Sequence, residues 1–452
     1  MTAIEMPSRP LRHSLRAKSG STYLPRLRAT LPISLTLTIA TLFLPIELSF
    51  YLFGLRLTAI RFIFLLVAPY LFLKFAGKIA AGSYRFVLSD FFIICTGVWM
   101  IVATAKNDGI ESALNHAGPE VLELVTAYFI ARTLLREHGQ AVMLMRRLCW
   151  AIAIIGLIGL LDPITGQYIT KETAAQITGY PINFSEWQDA YRLGLLRASG
   201  PVDHPILLGF VCAIALLISA SINMRGRWFI LTASGLGLAA TISSAPVQSA
   251  IMGFGLLRFA RLTSGLRFRW LALFLLAALM VVATFLVSNS PLSFIISHLT
   301  FDPSTGYYRY WTWYQVLAYV PWYGHGYGTL PDDLNHSIDS LWLMLLIQAG
   351  YPGAILTSLS MIGAGSIRTS GDKVHLTAEE RKLGTVLGII VFLTIFLSFT
   401  VDLWNSTWIL TGLLAGTRAH LGELGRLSHP PAETGDKSKY MHLPARSEDK
   451  AY

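Results

Sequence analysis

Hydrophobic residues in this chain fall in unbroken runs separated by short polar breaks, with neither the period-2 alternation of half-buried strands nor a sustained heptad. The runs are about 18–22 residues long, enough for a helix to cross a hydrocarbon core of about 30 Å. The first begins near Leu31 and is interrupted by Pro45 and Glu47. Others follow near 58–75, 86–104, 118–135, 143–161, 204–223, 228–243, 246–260, 269–288, 337–363, 384–401 and 404–418. The pattern predicts an all-α, polytopic membrane protein with about 12 transmembrane helices. Two long polar stretches, about 162–203 and 289–336, interrupt the series. Residues 1–30 read as a basic leader, 31–418 as the membrane domain and 419–452 as a disordered polar tail.

Composition supports this reading. Of 452 residues, 53% are hydrophobic and 14% charged, whereas soluble domains carry about a quarter charged residues. The leader lacks the early apolar core and small-residue cleavage site of a signal peptide, and so reads as the cytoplasmic approach to the first span. Cys95, Cys149 and Cys212 all lie within apolar runs, which favours small buried hydrophobes over a disulfide framework.

The formal charge of +10 is distributed by loop. One set of loops carries Lys74, Lys78, Arg85, Arg132, Arg136, Arg146, Arg147, Arg225, Arg227, Arg258, Arg261, Arg267, Arg269, Arg368, Lys373, Arg381 and Lys382. The opposite set carries Arg56, Lys106, Lys171, Arg192, Arg197 and Arg309. Such asymmetry reads as topology-setting charge and not as a nucleic-acid surface. It places both termini in the cytoplasm and both long loops outside.

Candidate chemistry gathers on that outer side. Asp162, Glu120, Glu123 and Asp402 sit at outward span ends, either as solvated helix ends or as the rim of a polar chamber. The first long loop closes with Arg192 and Arg197 before Gly200-Pro201 and Asp203-His204-Pro205. Arginine forks suit phosphate oxygens, although a lipid-headgroup contact uses the same chemistry. His204, beside proline, reads as a capping or orienting residue. In the second loop Arg309 stands amid Tyr307, Tyr308, Tyr310, Trp311, Trp313 and Tyr314, an aromatic group that suits either a headgroup belt or a sugar face. The run Gly324-His325-Gly326-Tyr327-Gly328 permits tight turns and close backbone approach, which would place amides near an anion. His336 opens the next span with Asp339 one turn on, a placement suited to proton transfer. No metal-ligand spacing, Walker loop, dinucleotide fingerprint or Gly-x-Ser-x-Gly elbow occurs.

Three stretches, LLRASGPVDHPILLG, YYRYWTWYQVLAYVPWYGHGYG and NHSIDSLWLMLLIQAGYPG, are similar in kind, order and spacing to motifs of the O-antigen ligase and O-antigen polymerase superfamily of bacterial membrane glycosyltransferases. The resemblance covers about residues 31–418. It implies a metal-independent enzyme of the inner membrane, without cofactor, that transfers or polymerises an undecaprenyl-pyrophosphate-linked glycan at the periplasmic face in polysaccharide biosynthesis. A polymerase is slightly favoured over a ligase joining glycan to lipid A core; a polysaccharide-lipid flippase is the alternative of another class.

By matching position, Arg197 and Arg309 would hold the pyrophosphate and His336 would activate the acceptor hydroxyl. Arg192, His204, Asp203, Asp339 and His325 would be supporting residues. Implied partners are the lipid-linked donor, an acceptor glycan or lipid, membrane lipids, and chain-length and export proteins. The chain departs from the family at Ser243-Ser244-Ala245-Pro246, where many members carry a Ser-Arg pair.

Overall fold

The computed structural model describes residues 30–52, 54–180, 190–266, 268–287, 303–327, 338–369 and 375–426. The chain is mostly helical. In order the helices are α1 (Ile33–Leu42), α2 (Ala59–Ala80), α3 (Leu88–Ser112), α4 (Gly118–Leu134), α5 (Gln140–Gly159), α6 (Leu161–Thr165), α7 (Ile169–Thr178), α8 (Pro205–Ser221), α9 (Arg227–Ala240), α10 (Ser244–Leu262), α11 (Arg269–Val287), α12 (Pro303–Tyr319), α13 (Leu341–Ser366), α14 (Ala378–Leu397) and α15 (Ser406–Arg426). A π-turn, Ala113–Ala117, joins α3 to α4.

Five described stretches are long and apolar enough to cross a membrane: Ala59–Ala80, Leu88–Leu134, Gln140–Thr165, Arg269–Leu286 and Leu341–Ser366. Large apolar side chains on α2 and α11, such as Leu66, Phe72, Leu73, Phe274 and Leu286, are exposed. In water such surfaces would be costly; against lipid they are the expected outer face.

Strands appear in the connections between the expected spans, where the apolar pattern predicts no element. Pro45 and Glu47 end α1 early, and an antiparallel hairpin pairs Ser49–Leu52 with Leu55–Thr58. A second hairpin pairs Tyr191–Arg192 with Leu195–Leu196, turned by Leu193 (φ 52°) and Gly194 (φ 76°). Two positive φ values in succession are what a tight twisted hairpin needs.

The helices approach closely through small residues. On α15, Gly412 and Gly416 lie against the α4 backbone: a Cβ on Gly412 would stand 2.6 Å from the Leu124 carbonyl, and one on Gly416 would strike that of Tyr128. Gly156 on α5 and Gly237 on α9 meet in the same way.

Charged side chains tie the two ends of the bundle. At one end the basic connections meet. Arg146 pairs with Glu379 (2.8 Å) and donates to the Asn223 carbonyl, His138 meets Glu380 (2.9 Å), and Lys78 donates to the Thr133 carbonyl. Arg132 belongs here too, but inside α4 rather than in a loop: fully buried, it is held by Asp90, Glu423 and the Arg85 carbonyl. Glu423 lies beyond the expected end of the last span at 418. α15 continues to Arg426 with His420, Leu421 and Leu424 buried, because Arg132 and the Arg85 amide need that carboxylate. At the opposite end the hairpins, the 160–180 and 190–204 segments, α12 and the 398–405 turn collect.

Candidate functional site: a cation-rich junction at the end opposite the basic loops

The 190–204 segment is pinned from below. Asp162 accepts from the amides of Ser199 (2.8 Å) and Gly200 (2.7 Å), and the Lys171 ammonium donates to Ser199 Oγ (2.7 Å) and the Asp203 carbonyl (3.0 Å). Asp162 and Glu123 are buried and partnered, which replaces the solvated-helix-end reading for both. Gly200, at φ 55°, places its α-carbon where a Cβ would come within 3.1 Å of Gly159. His204 caps α8, its Nδ1 accepting from the Ile206 amide (3.1 Å).

Arg197 is only 1% exposed. Its guanidinium donates to the Thr241 carbonyl (3.1 Å) and to Ser243 Oγ, while the next residue's amide donates to the Ala240 carbonyl. Arg192 donates to the Ile242 carbonyl (3.3 Å). Both arginines therefore grip the α9–α10 turn, where Ile242 holds φ 45°. A β-branched residue at positive φ is a strained outlier that the surrounding bonds must hold in place. Ser243, where this chain departs from the Ser-Arg pair of many members of the superfamily it resembles, is thus a partner of Arg197.

Arg309 arrives from α12. One turn on, Trp313 stacks on Phe399 at 5.6 Å and donates its indole N–H to the Phe399 carbonyl (3.2 Å). This seats α12 over the 398–405 turn, whose Trp404 ring lies 6.1 Å from that of His204. Arg197, Lys171, Arg192 and Arg309 all lie within electrostatic range of His204. Two motifs far apart in sequence therefore come within electrostatic range of one histidine. Tyr308, Tyr310, Trp311 and Tyr314 stay exposed around Arg309, which is half-buried.

His336 lies outside the described residues. Ser340, four positions on, caps α13 and bonds the Ser398 carbonyl (3.0 Å), so the entrance to α13 abuts the same turn. Asp339 is exposed, within electrostatic range of Tyr308 and Asp402. Burial, reinforced by Asp339, pushes the Asp402 carboxyl up to about 7.

Of the glycine run, Gly328 lies outside the described residues, and the described part, 324–327, serves packing. α13 breaks at Gly350 (φ 68°), and its freed groups are taken by the loop: His325 donates its amide to the Ile347 carbonyl (2.6 Å), and Tyr351 donates to that of Trp322 (3.1 Å). Gly324 must be glycine because a Cβ would stand 2.5 Å from the Ile347 carbonyl. The anion that the loop amides were expected to meet is internal, for the Tyr327 amide donates to Asp108. Asn107 bonds the carbonyls of Tyr323 and Gly324 (3.2 Å each), and Lys106 lies over the Tyr323 ring. The side-chain Nε2 of His325 is buried with no partner among the described residues.

Sequence reasoning overlooked Arg61, which pairs with Glu123 (2.6 Å) and reaches Asn405 (3.4 Å). The available signal was an arginine inside an otherwise apolar span. It also overlooked Asp108, Asn107 and Asn405. Asn405 holds φ 48° while bonding Arg61, an unfavoured geometry that asparagine tolerates better than most residues.

No protein-family model matches the chain, and neither does any curated protein. The likeness to the ligase and polymerase superfamily therefore stands on the three motifs. Among the described residues no group of three or more His, Cys, Asp or Glu side chains is arranged to hold a metal ion.

Proposed function

We propose that this chain is a polytopic bacterial inner-membrane glycosyltransferase of about 12 spans with both termini cytoplasmic. In this reading it acts on an undecaprenyl-pyrophosphate-linked glycan at the periplasmic face, with a second lipid-linked repeat as acceptor. The observation that supports the reading is that Arg309, Arg197, Arg192 and Lys171 all lie within electrostatic range of His204, at the end away from the basic loops. Breaking a glycosyl–pyrophosphate bond builds negative charge on the departing diphosphate, and fixed guanidinium groups stabilise that charge.

Arg309, the more accessible cation, contacts the diphosphate. Buried Arg197 holds the α9–α10 turn and contributes a fixed positive potential behind it. The exposed aromatic residues around Arg309 offer faces to the sugars. His336, at the mouth of α13, takes the proton of the acceptor hydroxyl, which needs a base within about 3 Å.

The test is long-chain polysaccharide in cells carrying Arg309→Ala, Arg197→Ala or His336→Ala, each checked for membrane insertion. Loss of one electrostatic contact lowers the rate by about 10²–10³. Wild-type chain length in all three variants would overturn the assignment. Transfer to a lipid A core sugar in place of a second repeat would make the enzyme a ligase.

One observation favours a carrier as a second reading. α3 and α13, which pack together, are both broken at a positive-φ glycine, Gly109 and Gly350, and broken helices are frequent in transporters. Vesicles that move the lipid-linked donor across the bilayer without lengthening the glycan would establish that reading.

A further inference from the structure

Beside the junction lies a cavity of about 20 Å³, lined by Thr41, Thr58, Glu123, Asp203, Asn405 and Ser406 together with apolar residues. That is room for one water-sized body. Asp203 and Ser406 are both more than nine-tenths buried. Asp203 Oδ2 and Ser406 Oγ have no hydrogen-bond partner among the described residues, and both residues line the cavity. A buried polar atom without a partner costs about 1–3 kcal/mol, so two on one small cavity call for an occupant.

Charge indicates its sign. The ammonium of Lys171 lies within electrostatic range of three buried carboxylates, those of Asp203, Glu47 and Asp162, and of these Glu47 also has Arg56 in range. Arg61 is already engaged by Glu123. Besides a hydrogen bond from Asn405, Asp203 therefore senses one cation, Lys171, and two further carboxylates, Glu47 and Glu123. A water molecule would satisfy hydrogen bonds but leave this excess negative charge standing. A small cation satisfies both.

We propose that this cavity binds one monovalent cation of sodium size, held by Asp203 Oδ2, Ser406 Oγ and neighbouring oxygens. A divalent ion would draw on a convergent set of carboxylates, and no such set is present among the described residues. The ion ties the segment before α8 to the start of α15, and so joins Asp203 and His204 to Trp404 and Asn405.

The experiment is thermal unfolding of the full chain in detergent at fixed ionic strength, with sodium replaced stepwise by choline, and no substrate present. The wild-type midpoint is expected to rise saturably, by about 2–4 °C, as sodium replaces choline. Asp203→Asn and the milder Ser406→Ala should flatten the response, with Ser406→Ala guarding against a variant that fails to fold. A wild-type midpoint indifferent to sodium at pH 8, or a full sodium response in folded Ser406→Ala, would overturn the site. Because no glycan is involved, this outcome is independent of the transferase reading.

Discussion

At the residue scale the molecule turns on buried charges whose partners come from distant sequence. Arg132 is the sharpest case, because Asp90 and Glu423 are both left without their cation when it is removed. Breaking such a buried pair costs about 3–5 kcal/mol. Arg132→Ala should therefore sharply reduce the folded fraction recovered in detergent, measured by size-exclusion yield. Folded wild-type yield would show that the network is dispensable.

The acids at the opposite end make a second, pH-dependent prediction. Burial, only partly offset by Lys171, raises Asp203 to about 6, and burial with Asp339 raises Asp402 to about 7. The folded state then holds protons that the unfolded chain, with carboxyls near 4, has already released. Stability contributed by these groups is full below about pH 4 and falls as pH rises to about 6–7. Asp402→Asn should flatten the upper part of that decline in a thermal-unfolding series from pH 4 to 8. An unchanged slope would contradict the assignment.

At the element scale, glycines decide which segments can interlock. Gly350 and Gly109 both hold positive φ, but a Cβ on Gly109 meets nothing within 4 Å, whereas one on Gly350 strikes the Trp322 carbonyl. Gly109→Ala should cost only backbone strain, about 1–3 kcal/mol, since φ 88° with ψ 170° is open essentially to glycine alone. Gly350→Ala should in addition expel the 321–327 loop from the break in α13. Limited proteolysis near Tyr323 reads the difference, with rapid cleavage expected for Gly350→Ala alone.

The existence of these elements was legible in the sequence. The apolar runs near 58–75, 143–161 and 204–223 became α2, α5 and α8, and His204 caps α8 as its place beside Pro205 suggested. Less legible were features set by tertiary partners. The hairpin at 49–58 falls in the gap between two expected spans, after Pro45 and Glu47 break the first run, where the pattern names no element. The extension of α15 to Arg426 depends on a carboxylate sought by Arg132. The glycine run looked like an anion cradle because Asp108, its actual anion, lies more than 200 residues earlier.

At the scale of the whole molecule, the two ends differ in chemistry. Basic connections pair with Glu379, Glu380 and Glu423 at one end; at the other, three arginines and a lysine lie within electrostatic range of His204, near buried acids. The proposed topology places these ends on opposite sides of the membrane. Cysteines introduced at Ser83 and Tyr180 should therefore label with an impermeant maleimide from opposite faces of oriented vesicles, Ser83→Cys from the cytoplasmic face. Labelling of both from one face would refute the sidedness.

The most direct test of the central claim uses purified protein in liposomes, supplied with a pyrophosphate-linked lipid glycan and EDTA and no ion gradient across the bilayer. Wild-type protein should lengthen the glycan and release lipid pyrophosphate, and Arg309→Ala, inserted and folded, should do so about 10²–10³ times more slowly. No lengthening by the wild type, or equal rates in the two proteins, would contradict the account.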